Sequence, residues 1–599
     1  MPSLNFAKST TVYQQQASPH SPTRRKLSLI FFFLGLAISI ASCAGYSINY
    51  IPTSYEFGLI QVLPPLFWVG FALCLLSLLE GINRDTERVF FIKALLFSVL
   101  VWNITVLLLK NIYFWDSYSH IFEATPIMLS GHLPSIDESL PRIFSYYPAS
   151  FPGYHILLSS IFSITNINPL EFARYYPLFS GAVTFLAIWL FFKTFLPSAS
   201  YRWALLIAML ANVYMQFHVS PQSVGLICGI LTLIALEKAD SRWRAVAVLL
   251  FAYITISHPT TAFIVLSAAG LAWLLRIGLV RGKKILTEPV PLLVVCWLAW
   301  SFLYASPFQQ SVAGLVVAAP TAATAPTTGI ILLDIIIAEV WNRIYGVFYW
   351  APRMRFIVLG VFAIGSVYYL AHQWLNRSNR RQKLLITYTA FLVAPVIMTL
   401  IDITFLRTGQ LHDRYFLFFL LVASILLVRL AEGIRQPIKK NAFLLALVFL
   451  ALFNLTTVYY LSSLFIISDE TVSASEFVNN NTSSQVIGGL LVPDLADPEQ
   501  SACLRRSRFY LLYPEPLGSF GVPSVIVFDD HDRLRYQAWY GIEKYDFYAH
   551  ASQFEDSLNK LYSNSRYDIY WFEGSEDQSR AKMHLQPRLD NGKYASDKY

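Results

Sequence analysis

The sequence is poor in charged residues. Only 14% of its 599 residues are charged, whereas 55% are hydrophobic and the mean hydropathy is +0.49. A soluble domain of this length does not carry so large an apolar fraction, so lipid must surround most of the chain. The net charge of +8 is scattered over short loops instead of forming one basic patch, which argues against nucleic acid as a partner.

Cysteine is scarce as well, and internal repeats are absent. Cys43, Cys74, Cys228 and Cys296 lie in apolar runs, and Cys503 stands alone in a polar segment. These positions form neither a disulfide framework nor the paired spacing of a cysteine zinc site. The lack of an internal repeat removes a feature that many transporters show.

Long apolar runs are abundant, and they predict an α-helical polytopic membrane protein with about 13 transmembrane helices. The first run follows Arg24, Arg25 and Lys26 and lacks a small-residue cleavage site, so we interpret it as an uncleaved helix. The predicted spans are 27–47, 58–79, 89–109, 175–195, 203–218, 221–237, 244–257, 259–277, 289–305, 355–374, 384–401, 414–431 and 441–467.

The short loops that are rich in Lys and Arg predict the orientation. The 13-span arrangement places all of these Lys- and Arg-rich loops in the cytoplasm at once, and it places the N-terminus there as well. The apolar segments 150–166 and 330–350 then lie along the outer interface, because a span at 150–166 would invert every later loop. The regions predicted outside are 110–174, 218–222, 257–259, 306–354, 402–413 and 468–599.

The composition changes after residue 467. Short β-branched runs begin at Gln485, Ser524 and Tyr567, each flanked by polar or turn residues. They predict a small extracytoplasmic α/β domain. The domain organisation expected from the whole sequence is a disordered cytoplasmic N-terminus at 1–26, an N-terminal transmembrane hairpin at 27–88, a membrane domain at 89–467 with the outer loop 110–174, and a soluble domain at 468–599.

Asp116 is the most informative residue. It follows an apolar run at the predicted outer mouth of a helix, where a carboxylate is costly unless it contacts water, a cation or a substrate. In a helix, Asp116, His120 and Glu123 stand at i, i+4 and i+7 and share one face. Such a face can bind a divalent cation or orient a hydroxyl group, and the alternative is an ordinary solvated loop. We predict that Asp116 is catalytic and that His120 and Glu123 bind substrate.

The same outer loop carries aromatic residues and prolines. Tyr146, Tyr147 and His155 stand in this segment and are candidates for stacking on a sugar or packing against a prenyl chain. The alternative is the aromatic belt that occurs at any membrane interface.

A later outer loop carries positive charge, although Lys and Arg are usually enriched in cytoplasmic loops. Arg407, His412 and Arg414 stand close together there, and an anionic partner such as a phosphate or pyrophosphate suits forked arginine contacts. The alternative is that Arg414 pairs with Asp413 or Asp402 and only anchors its helix.

Two further outer helix ends carry histidine beside a proline. His218 and Gln222 stand at one of them and His258 at the other, and polar residues at such breaks can line a substrate cavity. The alternative for a lone histidine is a structural role with its hydrogen bonds satisfied.

The order of these motifs resembles the GT-C superfamily of membrane glycosyltransferases, which includes protein mannosyltransferases, aminoarabinose transferases and oligosaccharyltransferase catalytic subunits. The resemblance rests on Trp115-Asp116-Ser-Tyr-Ser-His120, then Gly131-His-Leu-Pro134, then Tyr147-Pro148 and Pro152 before an interfacial helix, and it covers about residues 89–470. It implies an essential aspartate at Asp116, a polyprenyl-phosphate-linked sugar donor, and a lipid, glycan or protein acceptor at the outer face of the cell membrane.

The sequence departs from the superfamily in two respects. It has no Trp-Trp-Asp motif, which argues against an oligosaccharyltransferase, and His218 and Gln222 replace the second acidic motif that many members carry. No cofactor is therefore required by the motifs. If a divalent cation, Mn²⁺ or Mg²⁺, is bound, Asp116, His120 and Glu123 are the expected ligands.

Two alternatives to a glycosyltransferase remain from the sequence. One is a polysaccharide ligase or polymerase of the O-antigen type, which also uses outer-loop Arg and His residues. The other is a membrane transporter. The depth of the ionisable cluster separates the classes, because a transferase holds it at the outer interface and a transporter near the midplane.

The orientation can be tested by thiol labelling. In a chain whose Cys503 is replaced by Ser, a cysteine introduced at Ser552 should react with an impermeant thiol reagent in intact cells, and one at Asn379 should not. The reverse pattern would place Asp116 in the cytoplasm and contradict its predicted role.

Overall fold

The computed structural model describes most of the helical part of the chain and a small C-terminal sheet. It describes residues 22–51, 55, 57–133, 147–196, 199–211, 217–238, 240–279, 289–306, 350–375, 382–401, 411–463, 466–481, 485–487, 524–529, 559–564 and 566–572. These form two compact units. The first holds the residues up to 46 with residues 63–101, and the second holds residues 47–62 and those from 102 onward.

The helices run through the whole described chain, and the strands lie near its end. The helices are α1 Pro22–Ser42, α2 Leu59–Val62, α3 Pro65–Arg84, α4 Glu87–Trp102, α5 Ile104–Leu108, α6 Trp115–Ser130, α7 Gly153–Thr165, α8 Pro169–Phe195, α9 Tyr201–Ala211, α10 Pro221–Glu237, α11 Ser241–Ser257, α12 Pro259–Leu279, α13 Val290–Ala299 with a π-helical continuation Trp300–Tyr304, α14 Trp350–Leu375, α15 Gln382–Ile401, α16 Leu411–Glu432, α17 Pro437–Ser463 and α18 Asp469–Asn481. The strands are β1 Gln485–Ile487, β2 Ser524–Asp529, β3 Asn559–Ser563 and β4 Tyr567–Phe572.

The first unit is held together by close helix packing and one buried ion pair. A side chain at Gly35 on α1 would lie 2.6 Å from the carbonyl oxygen of Gly70 on α3, so only glycine allows the two backbones to approach so closely. Lys93 is fully buried, and its Nζ lies 2.8 Å from Asp85 Oδ2 and 3.0 Å from Ser28 Oγ. These contacts compensate for burying the lysine charge.

The predicted class, a helical polytopic membrane chain with a small C-terminal sheet, is confirmed. In the part of the chain that the structure describes, seven helices are long and apolar enough to cross a membrane, namely Arg25–Ser42, Pro65–Arg84, Pro169–Phe195, Pro259–Leu279, Ile357–Leu375, Arg414–Glu432 and Pro437–Thr457. Five shorter apolar helices accompany them. The count of about 13 spans stays a prediction.

The segment predicted to lie along the interface forms α7. This helix has 13 residues, and its rise of roughly 20 Å is shorter than a hydrocarbon core of about 30 Å. Asn166 ends it in the left-handed conformation, with φ of 52°. The companion segment 330–350 lies outside the described residues, apart from residue 350.

Helix α16 lies at the centre of the second unit, in contact with α9, α14 and α15. The described side chains along it are mostly buried, and its N-terminal end lies beside α12. Because the N-terminal ends of α10, α12 and α16 neighbour one another, polar residues near those ends can share a site.

The C-terminal sheet has the strand order β1-β2-β4-β3, with β1 parallel to β2 and the other neighbours antiparallel. The predicted runs at Gln485, Ser524 and Tyr567 form β1, β2 and β4. Strand β3 was not predicted, because its sequence Asn-Lys-Leu-Tyr-Ser is polar and mostly exposed. Helix α18 packs Ala474 and Val478 against the buried face of the sheet.

The sheet and α18 are tied to the segment that leads into α6. Arg566 makes a forked contact with Asp529 at the end of β2, at 2.7 and 2.9 Å, and donates a third hydrogen bond to Ser468 before α18. The next residue, Asp469, accepts from Lys110 at 2.5 Å. The chain just before Asp116 is therefore fixed by the C-terminal part of the protein.

Candidate functional site

The site begins where the backbone turns into α6. Phe114 precedes this helix with φ of 72°, a conformation that a bulky residue rarely adopts. Its ring stacks on His218 with 3.9 Å between centroids and 10° between planes. The turn puts Asp116 in the first turn of α6, where the helix dipole favours a negative charge.

Asp116, His120 and Glu123 lie along one face of α6. Asp116 Oδ2 is 3.2 Å from Nε2 of His120, and Glu123 Oε2 is 3.7 Å from Nδ1 of the same ring. The two carboxylates therefore contact opposite ring nitrogens. For this reason the three side chains do not converge on a single point, as the ligands of one cation would have to. Asp116, His120 and Glu123 were the ligands expected from the sequence.

His155 joins this face from α7. Its Nε2 lies 3.1 Å from His120 Nδ1 and 2.9 Å from Glu123 Oε2. The two helices pack through Tyr154 and Leu158 of α7 and Ile121 and Ala124 of α6, which belong to one buried apolar cluster. The position of His155 is thus fixed by packing on both sides of it.

The charges of the site are mutually supporting. Burial disfavours ionisation of Asp116, but His120 and His218 outweigh it and hold the pKa of Asp116 well below its ordinary value. Burial likewise opposes the charge of His120, yet Asp116 and Glu123 raise the pKa of His120 to about 9. The pKa of Glu123 is lowered, because its contacts with His120 and His155 exceed the effect of burial. All three groups are charged near neutral pH.

Access to the cluster is uneven. The side chain of Asp116 is 28% exposed, whereas that of His155 is 1% exposed. Asp116 is therefore the member of the cluster that a molecule from solution can reach most directly.

His218, just before α10, borders Asp116, and Gln222 lies in the first turn of that helix. His218 Nε2 lies 3.6 Å from Asp116 Oδ2, and the side chains of His218 and Gln222 are buried. Burial lowers the pKa of His218, so its ring is neutral near neutral pH. Among the described residues, neither His218 Nδ1 nor Gln222 Oε1 has a hydrogen-bond partner. Buried polar atoms of this kind call for a ligand or an ordered water.

His258 and Arg414 lie at the N-terminal ends of α12 and α16, which neighbour each other. His258 Nδ1 accepts from the backbone N–H of Thr261 at 3.2 Å and lies 2.7 Å from its hydroxyl, so the imidazole caps the start of α12. This contact gives His258 a structural role, and its role in binding substrate stays a prediction. Arg414 Nη1 donates to Thr260 Oγ1 at 3.3 Å, which joins α16 to the same end of α12.

Tyr147 lies near the charged groups of the site. Burial raises the pKa of its hydroxyl, with Arg414 acting in the opposite direction and Glu123 and Asp116 in the same one. The phenol is therefore within electrostatic reach of the guanidinium and of both carboxylates.

Three of the predicted site residues cannot be placed relative to this cluster. Tyr146 and Arg407 lie outside the described residues, and the side chain of His412 does too. Phe114 was not predicted as part of the site, because its backbone conformation leaves no signal in the sequence. Thr260 was not predicted either, although His258 and the proline that follows it had indicated a helix end at this place.

Comparisons with known proteins give structural likeness without close relatives. No protein-family model matches the sequence, and no curated protein matches it. Among solved structures, the oligosaccharyltransferase AglB from Archaeoglobus fulgidus, in complex with an inhibitory peptide and a dolichol-phosphate, has a TM-score of 0.48 and 13% identity over 81% of this chain and 74% of that chain. A second structure of the oligosaccharyltransferase from Archaeoglobus fulgidus, tethered to an acceptor peptide, has a TM-score of 0.44 and 12% identity over 82% and 74%.

ArnT from Cupriavidus metallidurans, bound to undecaprenyl phosphate, has a TM-score of 0.42 and 10% identity over 81% of this chain and 98% of that chain. AglB and ArnT are GT-C glycosyltransferases, the superfamily that the sequence motifs resemble. With TM-scores below 0.5, these likenesses assign no residue, substrate or activity to this chain.

The close approach of α7 to the end of α11 predicts that Gly153 tolerates no side chain. A Cβ there would lie 2.5 Å from Ser257 Oγ and 2.7 Å from Ile256 Cγ1. Gly153→Ala should lower the free energy of unfolding by about 1–3 kcal/mol, as overpacking does. Thermal denaturation of the purified protein in detergent measures this.

Gly270→Ala on α12 is the matched control, because a Cβ at Gly270 meets nothing within 4 Å. Equal melting temperatures for the two variants would contradict the packing described for α7.

Proposed function

We propose that this protein is a membrane glycosyltransferase that transfers a sugar from a polyprenyl-phosphate-linked donor to a lipid, glycan or protein acceptor at the outer membrane face. The observation that carries the proposal is the partly exposed, ionised Asp116 at the edge of an otherwise buried histidine cluster. Arg414, at the neighbouring helix end, supplies positive charge within reach of the same site.

The reaction requires two charged groups with different tasks. Asp116 accepts a hydrogen bond from the acceptor hydroxyl and orients it or takes its proton as the oxygen attacks the anomeric carbon. The bond between that carbon and the phosphate oxygen breaks, and negative charge builds up on the leaving phosphate. Arg414 stabilises this charge through charge-assisted hydrogen bonds, and Arg407 is proposed to assist it.

The surrounding residues are proposed to hold Asp116 and the sugar. His120 fixes one carboxylate oxygen of Asp116 at 3.2 Å, which limits the orientations that the carboxylate can take. The buried Nδ1 of His218 and Oε1 of Gln222 offer hydrogen bonds to sugar hydroxyls. Tyr146 and Tyr147 are proposed to stack on the sugar or the prenyl chain.

The position of the cluster favours a transferase over a transporter. Asp116 stands in the first turn of α6, His218 just before α10 and Arg414 near the start of α16. These helix ends adjoin the loops 110–174, 218–222 and 402–413, which the sequence predicts to lie outside the membrane, whereas a transporter binds its substrate near the bilayer midplane. A polysaccharide ligase or polymerase uses the same donor chemistry, and acceptor specificity in the purified assay separates it from a transferase that adds a single sugar.

We expect Asp116→Asn to abolish transfer while leaving the fold intact. Asparagine keeps the size of the side chain but loses its charge and basicity, and general base catalysis alone contributes about two to four orders of magnitude in rate. Transfer to acceptor by the purified variant, together with its elution from a sizing column, measures both effects. Near-wild-type transfer would contradict the proposed function.

We expect Arg414→Lys to weaken donor binding with near-normal expression. Lysine keeps the charge but does not reproduce the forked contact of a guanidinium with phosphate. Arg242→Lys is the matched control, because Arg242 is exposed near the start of α11, away from the outer helix ends. Titration with a prenyl-phosphate sugar should separate the two variants by at least about tenfold in affinity, which corresponds to about 1.4 kcal/mol. Equal affinities would refute the phosphate role.

A further inference from the structure

Three ligand atoms from two helices converge beside Asp116. His120 Nδ1 and Glu123 Oε2 come from α6, and His155 Nε2 comes from α7. The sides of the triangle are 3.1 Å between the two nitrogens, 2.9 Å from His155 to Glu123 and 3.7 Å from His120 to Glu123. We propose that His120, Glu123 and His155 bind a divalent transition metal ion, with Zn²⁺ the preferred species, and that Asp116 is the outer partner of His120.

The size of the triangle matches such an ion. Zn²⁺ binds histidine nitrogen and carboxylate oxygen at about 2.0–2.2 Å, which places tetrahedral ligands about 3.3–3.6 Å apart. The observed separations lie on both sides of this range, so small side-chain shifts bring all three atoms into contact with one ion. Three protein ligands also leave a fourth position for water or another molecule.

The second ring nitrogen of His120 is already engaged as a metal ligand requires. Its Nε2 faces Asp116 Oδ2 at 3.2 Å. A ligating histidine commonly donates its other N–H to a carboxylate, which fixes the ring and makes the ligating nitrogen more basic. Asp116 therefore stands outside the ligand set, in contrast to the set of Asp116, His120 and Glu123 expected from the sequence.

The ligand types select the metal. Two imidazoles and one carboxylate suit Zn²⁺ and related transition metals, whereas Mg²⁺ prefers oxygen ligands alone. The charge also fits, because the ion displaces the proton on His120 Nδ1, and the dication then balances the two carboxylates that flank His120. The buried contact between α6 and α7 holds the ligands in place before an ion arrives.

The site can be tested with the metal alone. The full-length protein is purified in detergent, stripped with a chelator and incubated with Zn²⁺ or Co²⁺, and the bound metal is measured by mass spectrometry. Wild type should bind one ion per chain, and Co²⁺ should give the visible absorption of a tetrahedral site. His155→Gln and Glu123→Gln should each weaken binding by at least about 100-fold, as the loss of one of three ligands implies. The control is His132→Gln, because His132 is exposed and lies beyond the end of α6. This variant should bind the metal as wild type does.

Asp116→Asn distinguishes the two ligand sets. An outer partner, when removed, lowers affinity by about 10–100-fold and leaves the stoichiometry at one. Loss of binding in Asp116→Asn with normal binding in His155→Gln would overturn the proposed set, and so would equal metal contents of wild type and His155→Gln. Metal-free melting temperatures confirm that each variant is folded. Because no substrate is used, the result is independent of the proposed function, and a failure of either leaves the other standing.

Discussion

The contact between Asp116 and His120 is the interaction on which the candidate site depends. Two carboxylates and an imidazolium are gathered in a largely buried place, and isolated charges there would be very costly. Each is tolerated because its neighbours carry the opposite charge. The charge of Asp116 is therefore stabilised by the imidazolium of His120, with a further contact from the neutral ring of His218, and the charge of His120 in turn is stabilised by Asp116 and Glu123.

The fold supplies this arrangement through helix ends. Asp116, His218, His258 and Arg414 each stand at or beside the start of a helix, where backbone N–H groups are unpaired and the dipole is positive. Helix ends in a membrane protein also lie where polar side chains are least costly. The tie from Arg566 and Asp469 to Lys110 then fixes the segment that enters α6.

Periodicity was sufficient to predict part of the site. Asp116, His120 and Glu123 share a face because their spacing in the sequence matches the helical repeat, and the structure has this face. The β-branched runs at Ser524 and Tyr567 likewise became neighbouring strands, since a β-branched run flanked by polar or turn residues is a local signal. Strand β3 left no such signal, because its sequence Asn-Lys-Leu-Tyr-Ser has no β-branched residue. The roles of the site residues remain predictions.

The sequence by itself determined the membrane class, the apolar helices and the face of α6 that Asp116, His120 and Glu123 share, because hydropathy and helical spacing are local properties. Only the tertiary structure decided that His155 contacts His120 and Glu123, that Phe114 stacks on His218, and that Arg414 meets Thr260. These contacts join residues far apart in the chain. They depend on how whole helices pack, and on close approaches such as that of Gly153 to Ser257, which no local pattern records.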